Sequence, residues 1–211
     1  EESVQLVVTN HPKNGPVFSG PHLEPWVCTT EPAGLGPAID ADCDAPSKTT
    51  YSYRSTDGAT KPLDDPAVLP ADIATVTVRG EPIPFVIRTE QGVIDRGIYT
   101  IWTLDRAPGA TTWDRGGWNG RLVYRFGGGC GTQYSQGASF VGAADTDLLG
   151  RGYAVATNTL DTFQTACNPV LSAEAARMTR EHFVETYGVP EYTIGDGGSG
   201  GAIQQLAIGH N

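Results

Sequence analysis

The chain has 211 residues, with 14 basic against 24 acidic side chains and a net charge of −10. Such a surface repels nucleic acid and anionic membranes unless basic residues cluster, and none do, so neither is expected as a partner. Hydrophobic residues make up 39 %, yet no run approaches the ~20 apolar residues of a membrane span, which leaves a soluble, globular chain rather than a membrane-embedded or disordered one.

Glycine at 27 and proline at 15 residues predict many turns and backbone-lined surfaces. The one methionine is Met178, and no basic-then-apolar leader precedes Glu1, so a processed N-terminus is expected. Four cysteines on an acidic, lysine-poor chain point to a secreted protein, extracellular or periplasmic, whose thiols pair. Of three possible connectivities the expected one joins Cys28 to Cys43 and Cys130 to Cys167. No C-x-x-C spacing suggests a metal site.

Residues 1–90 read as a β-rich, loop-heavy extension, with strand-like runs at Val4 to Val8 and Ile73 to Val78 and no convincing helix. Residues 91–211 read as the first part of an α/β core. Phe85 to Arg88 and Gly97 to Leu104 look like two strands joined through Gln91-Gly92. Arg121 to Phe126, Tyr153 to Asn158 and Tyr192 to Ile194 follow as further strands. Between the last two, Ser172 is the expected N-cap of a helix carrying Met178, Phe183, Val184 and Tyr187, which Gly188 and Pro190 terminate. Strand, helix and strand in that order imply a parallel sheet with helices on its faces.

Two glycine-rich loops follow strands. RLVYRF runs into Gly127-Gly128-Gly129-Cys130-Gly131, and EYTI runs into Gly195-Asp196-Gly197-Gly198-Ser199-Gly200-Gly201. Open α/β sheets place ligands at the carboxyl ends of their strands. The second loop contains G-x-S-x-G centred on Ser199, whose flanks must be almost free of side chains if strand and helix are to close around it. Ser199 is thus the candidate nucleophile, with the Gly200 N–H at a helix N-terminus as one oxyanion donor. The second donor is expected from Gly128, Gly129 or Cys130. The same letters also spell G-x-G-x-x-G through Gly195, Gly197 and Gly200, but a dinucleotide unit asks for an acidic residue about 20 positions on, and 11 residues follow Gly200.

The order strand, GGGCG, strand, helix, strand, GGSGG-A-I-Q-Q resembles an α/β-hydrolase core. The blocks SGPHLEPWVC, IDRGIYTIWTLDR, FGGGCGTQ, LGRGYAVATNTLD and GDGGSGGAIQQLAIGHN resemble a family of secreted bacterial hydrolases similar to tannases, feruloyl esterases and polyester depolymerases. The resemblance implies a Ser/His/acid hydrolase acting on carboxylic esters, without a cofactor. Amidase or peptidase action by the same serine, and a non-catalytic binding protein on the same fold, are the alternatives.

Such an enzyme needs an imidazole beside the serine. If residues 200–210 continue as helix, His210 lies ~16 Å along the axis from Ser199. His182 reads as a surface or satisfied residue, and His11 and His22 fall in the β-rich extension. The expectation is therefore a processed precursor. Its C-terminal fragment would complete the sheet as a second polypeptide and supply the catalytic His and Asp or Glu. Asp40, Asp42 and Asp44 read as a solvated acidic loop, since Ala45 and Tyr51 stand where an EF-hand needs glycine and glutamate. Asp161 and the segment to Cys167 are expected to overhang the cleft. A Cys130–Cys167 bond would then brace the oxyanion loop. Trp102, Trp113 and Trp118 read as core more readily than as a substrate surface.

Overall fold

A β-hairpin buried on both faces organises the molecule. The computed structural model describes residues 10–110, 112–137 and 144–210. The expected strand at Val4 to Val8 lies outside them. The hairpin pairs β5, Val86–Ile94, with β6, Gly97–Leu104, and all eight residues of β6 are buried. Its turn is Asp95-Arg96, with φ of 54° and 62°, the positive pair that matches the twist of two-residue hairpins. This corrects the Gln91-Gly92 expectation. Gly92 sits inside β5 opposite Tyr99, where any Cβ would fall 2.7 Å from the tyrosine ring.

Around this hairpin lies a seven-stranded mixed sheet. With β1 at Lys48–Arg54, β2 at Thr60–Pro62, β7 at Arg121–Arg125, β8 at Ala154–Asn158 and β9 at Tyr192–Asp196, the order is β2-β1-β5-β6-β8-β7-β9. Pairing is antiparallel from β2 through β8, whereas β7 runs parallel to both β8 and β9. A separate hairpin joins β3, Thr75–Val78, to β4, Glu81–Pro84.

Side-chain alternation sends successive residues to opposite faces. Tyr99, Ile101, Leu122, Tyr124, Ala154 and Ala156 pack with Met178, Phe183 and Tyr187 of α2, Pro169–Tyr187. On the other face Trp102, Leu104, Val123 and Val155 pack with Leu149 of α1, Thr146–Gly150, and with Val78 and Ile83 of the small hairpin. Trp102 and Trp118 are buried in these two layers and Trp113 packs against one of them, so all three serve the core. The third helix, α3, spans Gly200–His210.

The cap of α2 is Asn168, whose side chain accepts from the Val170 and Leu171 N–H groups, with Pro169 in the first turn. The expected cap, Ser172, is instead buried inside the helix. Asn-Pro outcompetes it because proline lacks the N–H that a first turn cannot use and presets the helical φ. Gly188, at φ 101°, closes the helix as expected. Disulfides join Cys28 to Cys43 and Cys130 to Cys167. Among the described residues no helix is long and apolar enough to cross a membrane.

Candidate active site

The chain leaves β7 toward β8 through α1, then returns past β7 to β9 through α2. Strand order reverses at β7, and the crevice of an open α/β sheet opens at such a point, outside the carboxyl ends of the strands. Both glycine loops begin there. Pairing continues beyond the end of β7, with Phe126 N–H donating to the Asp196 carbonyl at 2.8 Å and Gly127 N–H to the Asp161 carbonyl at 2.8 Å.

Ser199 lies between the end of β9 and the first residue of α3. It is exposed and has a φ of 57°, one of few non-glycine residues in the left-handed region. Its carbonyl accepts from the Ala202 and Ile203 N–H groups, which starts the helix directly behind it. Its hydroxyl bonds to no other described residue.

The loop after β7 packs against this turn. A Cβ at Gly128 would lie 3.3 Å from the Ser199 Cβ, and one at Gly200 would lie 2.3 Å from the Gly129 carbonyl oxygen. Only backbone fits between the two loops. The loop is held in turn by residues 161–167. Gln164 N–H donates to the Gly128 carbonyl at 3.0 Å, Gly131 N–H to the Phe163 carbonyl at 2.8 Å and Cys167 N–H to the Gly131 carbonyl at 2.8 Å, beside the Cys130–Cys167 bond. The N–H groups of Gly129, Cys130 and Gly200 donate to no acceptor among the described residues. Gly129 and Cys130 are exposed. N–H groups without an acceptor among the described residues and the positive end of α3 therefore belong to the two loops that pack together at the exposed Ser199, a combination suited to holding an anion.

Charge at the rim is balanced by Arg125, at the end of β7. It pairs with Asp145, the cap of α1, and lies 3.3 Å from Asp196, the residue that closes β9. Burial pushes the Asp145 carboxyl up, but the N–H groups of Leu148 and Asp147 and the Arg125 guanidinium hold it below its ordinary value.

Asp161 departs from expectation. Its side chain is fully buried beneath the loop, not overhanging the cleft, and meets the Tyr124 hydroxyl at 2.5 Å and Ser172 Oγ at 2.9 Å. Burial without a cation pushes its carboxyl up to about 8, although both hydroxyls pull the other way. Sequence reasoning also missed Gln204. Its amide nitrogen donates 2.8 Å to the Gly127 carbonyl and so links α3 to the glycine loop. The available signal was a polar residue on the buried side of a largely apolar helix.

No histidine joins Ser199. His11 bonds Glu181, His22 bonds the Asn14 carbonyl, His182 bonds Glu90, and His210 stands at the far end of α3. Asp40, Asp42 and Asp44 have separate partners: the Asp44 N–H, the His22 and Arg96 side chains, and Lys13 respectively. Among the described residues no group of three or more His, Cys, Asp or Glu side chains could hold a metal.

Over residues 1–211 the chain matches a family described as a tannase-like family of unknown function. No curated protein and no solved structure matches it.

Proposed function

Because the chain belongs to this tannase-like family, we propose that it is a secreted serine esterase with an α/β-hydrolase core and Ser199 as its nucleophile. One observation carries the reading. An exposed serine at φ 57° tops a strand-to-helix turn, against a glycine loop in which the Gly129 and Cys130 N–H groups have no acceptor among the described residues. In this reading Ser199 Oγ attacks the ester carbonyl carbon and loses its proton to a general base. The oxyanion is held by the N–H groups of Gly200 and of Gly129 or Cys130. The base returns the proton to the departing alcohol, leaving an acyl-enzyme. Water then adds to the acyl carbon, the base takes its proton, and the acid leaves as Ser199 is restored.

The imidazole and its orienting carboxylate come, in this proposal, from a C-terminal fragment of the same precursor seated along β9 and α3. Support comes from the surface there. Among the described residues β9 pairs with β7 alone, and Tyr192, Ile194, Ile203 and Leu206 are exposed at 45 %, 40 %, 59 % and 76 %. An open edge beside exposed aliphatic side chains is a surface that proteins normally cover. The two disulfides fit an oxidising compartment.

A fluorophosphonate probe tests the nucleophile. The expected result is one covalent adduct that maps to the peptide containing Ser199. Ester hydrolysis by a protein that the probe neither labels nor inhibits would contradict the reading.

A further inference from the structure

Five groups in contact join four segments to the glycine loop: Tyr124 on β7, Asp161 after β8, Ser172 on α2, Gln204 on α3 and the Gly127 carbonyl. Asp161, Ser172 and Gln204 are each fully buried, so every proton between them must be supplied from within. Gln204 can donate to the Gly127 carbonyl only through Nε2, which turns its Oε1 toward Ser172 at 2.6 Å. Ser172 Oγ thus lies between two oxygens, Gln204 Oε1 and, at 2.9 Å, Asp161 Oδ1. It has a single proton. The Tyr124 proton is already committed to Asp161 Oδ2. Were Asp161 ionised, one of the two contacts at Ser172 would set oxygen lone pairs against each other without a proton. The group able to supply the missing one is the Asp161 carboxyl itself.

We infer that Asp161 is a neutral carboxylic acid whose proton begins a hydrogen-bond relay, through Ser172 and Gln204, that pins the glycine loop to the serine helix. Asp161 O–H donates to Ser172, Ser172 O–H to Gln204 Oε1, and Gln204 N–H to the Gly127 carbonyl. Asp161 is then a positioning residue, acting on the Gly129, Cys130 and Gly200 donors through the loop and helix it holds together. That role rests on the reading of Ser199 and the glycine loop as the reacting pair; the proton itself does not.

The surrounding charges agree. No cation pairs with Asp161 among the described residues. Of its neighbours, Asp95 from the β5–β6 turn is itself pushed up to about 9, by burial first and by Glu174 and Asp161 next. Glu174 on α2 is held below its ordinary value because the N–H groups of Val17, Phe18 and Ser19 outweigh its burial. Arg96 faces away, stacked on Trp26 and 3.5 Å from Asp42. Tyr124 stays protonated, its hydroxyl raised well above the ordinary value by burial and by Asp161.

Asp161→Asn is the discriminating variant. An amide can donate to Ser172 and accept from Tyr124 as the acid does, with no proton to release. In the wild type the folded carboxyl keeps a proton that the unfolded chain gives up above about pH 4, so stability falls as pH rises toward about 8. Melting curves of the purified protein should show that fall by several degrees more in the wild type than in Asp161→Asn; Asp95, raised first by burial and by Glu174, keeps most of its own contribution in both. At pH 8 the variant should melt no lower than the wild type. The infrared difference spectrum, wild type minus Asp161→Asn, should show a protonated-carboxyl C=O band at neutral pH that disappears near pH 8, apart from the Asp95 band that both proteins carry. Equal slopes, or no such band, would overturn the proton assignment.

Where ester turnover is measured, a fall above about pH 8 should flatten in Asp161→Asn. An unchanged limb would overturn the positioning role. Melting and infrared readings need no turnover, so failure of the esterase reading and failure of the relay are separately visible.

Discussion

Two buried carboxyls, one in each half of the sheet, solve the same problem in opposite ways. Glu90, in the antiparallel half, accepts from Tyr99 at 2.9 Å, Tyr187 at 2.5 Å, His182 at 2.7 Å and Arg88 at 3.0 Å. Burial pushes it up, but those donors, His182 and Tyr99 foremost, leave it below its ordinary value and ionised. Asp161, at the carboxyl end of the parallel half, meets two hydroxyls and, among the described residues, no cation, and keeps its proton. An ionised carboxylate inside a protein needs enough donors, charged or neutral, to outweigh its burial, whereas a protonated acid can both donate and accept. The antiparallel half is thus a fixed framework held by charge. The two glycine loops at Ser199 are held by neutral hydrogen bonds, close backbone contact and a disulfide, with the Arg125 ion pairs beside them.

The largest expected effect separates the chemistry from both. Ser199→Ala should reduce ester turnover by at least ~10⁴-fold, read by initial rates, with the melting temperature close to that of the wild type because the hydroxyl makes no bond within the described structure. Next comes the rim's covalent brace. Replacing Cys130 and Cys167 together by serine opens a link between residues 37 apart in sequence, a change of about 4 kcal/mol on the chain-entropy account, measurable by urea unfolding under oxidising conditions.

Glu90→Gln tests the framework half and should lose ~3 kcal/mol, since Arg88 would be left beside a neutral group. Its pH signature has the opposite sign to that of Asp161. Glu90 stabilises above the ordinary glutamate range, and that contribution disappears as pH falls through its lowered folded value, so the variant should lose acid sensitivity. Gly200→Ala is the smallest of the four changes. Its methyl would start 2.3 Å from the Gly129 carbonyl oxygen and should displace the loop enough to lose roughly 100-fold in turnover, compared by kcat with Ser199→Ala as the floor.

The same contrast explains what could be read in the sequence. The three parallel strands, both glycine loops and the end of α2 at Gly188 were legible because apolar runs and glycine chemistry act locally. The disulfide pairing was also the expected one. The β5–β6 turn was hidden because Asp95 and Arg96 take positive φ without a glycine, while a glycine that resembles a turn residue, Gly92, makes room for the Tyr99 ring. The cap was misplaced because Asn168-Pro169 and Ser172 are both plausible local signals, and Ser172 is used for a contact between helices. The buried network could not be read at all. Tyr124, Asp161, Ser172 and Gln204 come from separate elements, and only the folded sheet brings them within hydrogen-bond distance.

The central claim, a covalent acyl group on Ser199, is tested most directly by acid-quenching the protein during turnover of an activated ester and mapping the added mass. The account predicts an acyl adduct on the peptide containing Ser199, absent from Ser199→Ala. Ester hydrolysis with that peptide unmodified throughout, at a rate the alanine variant matches, would contradict it.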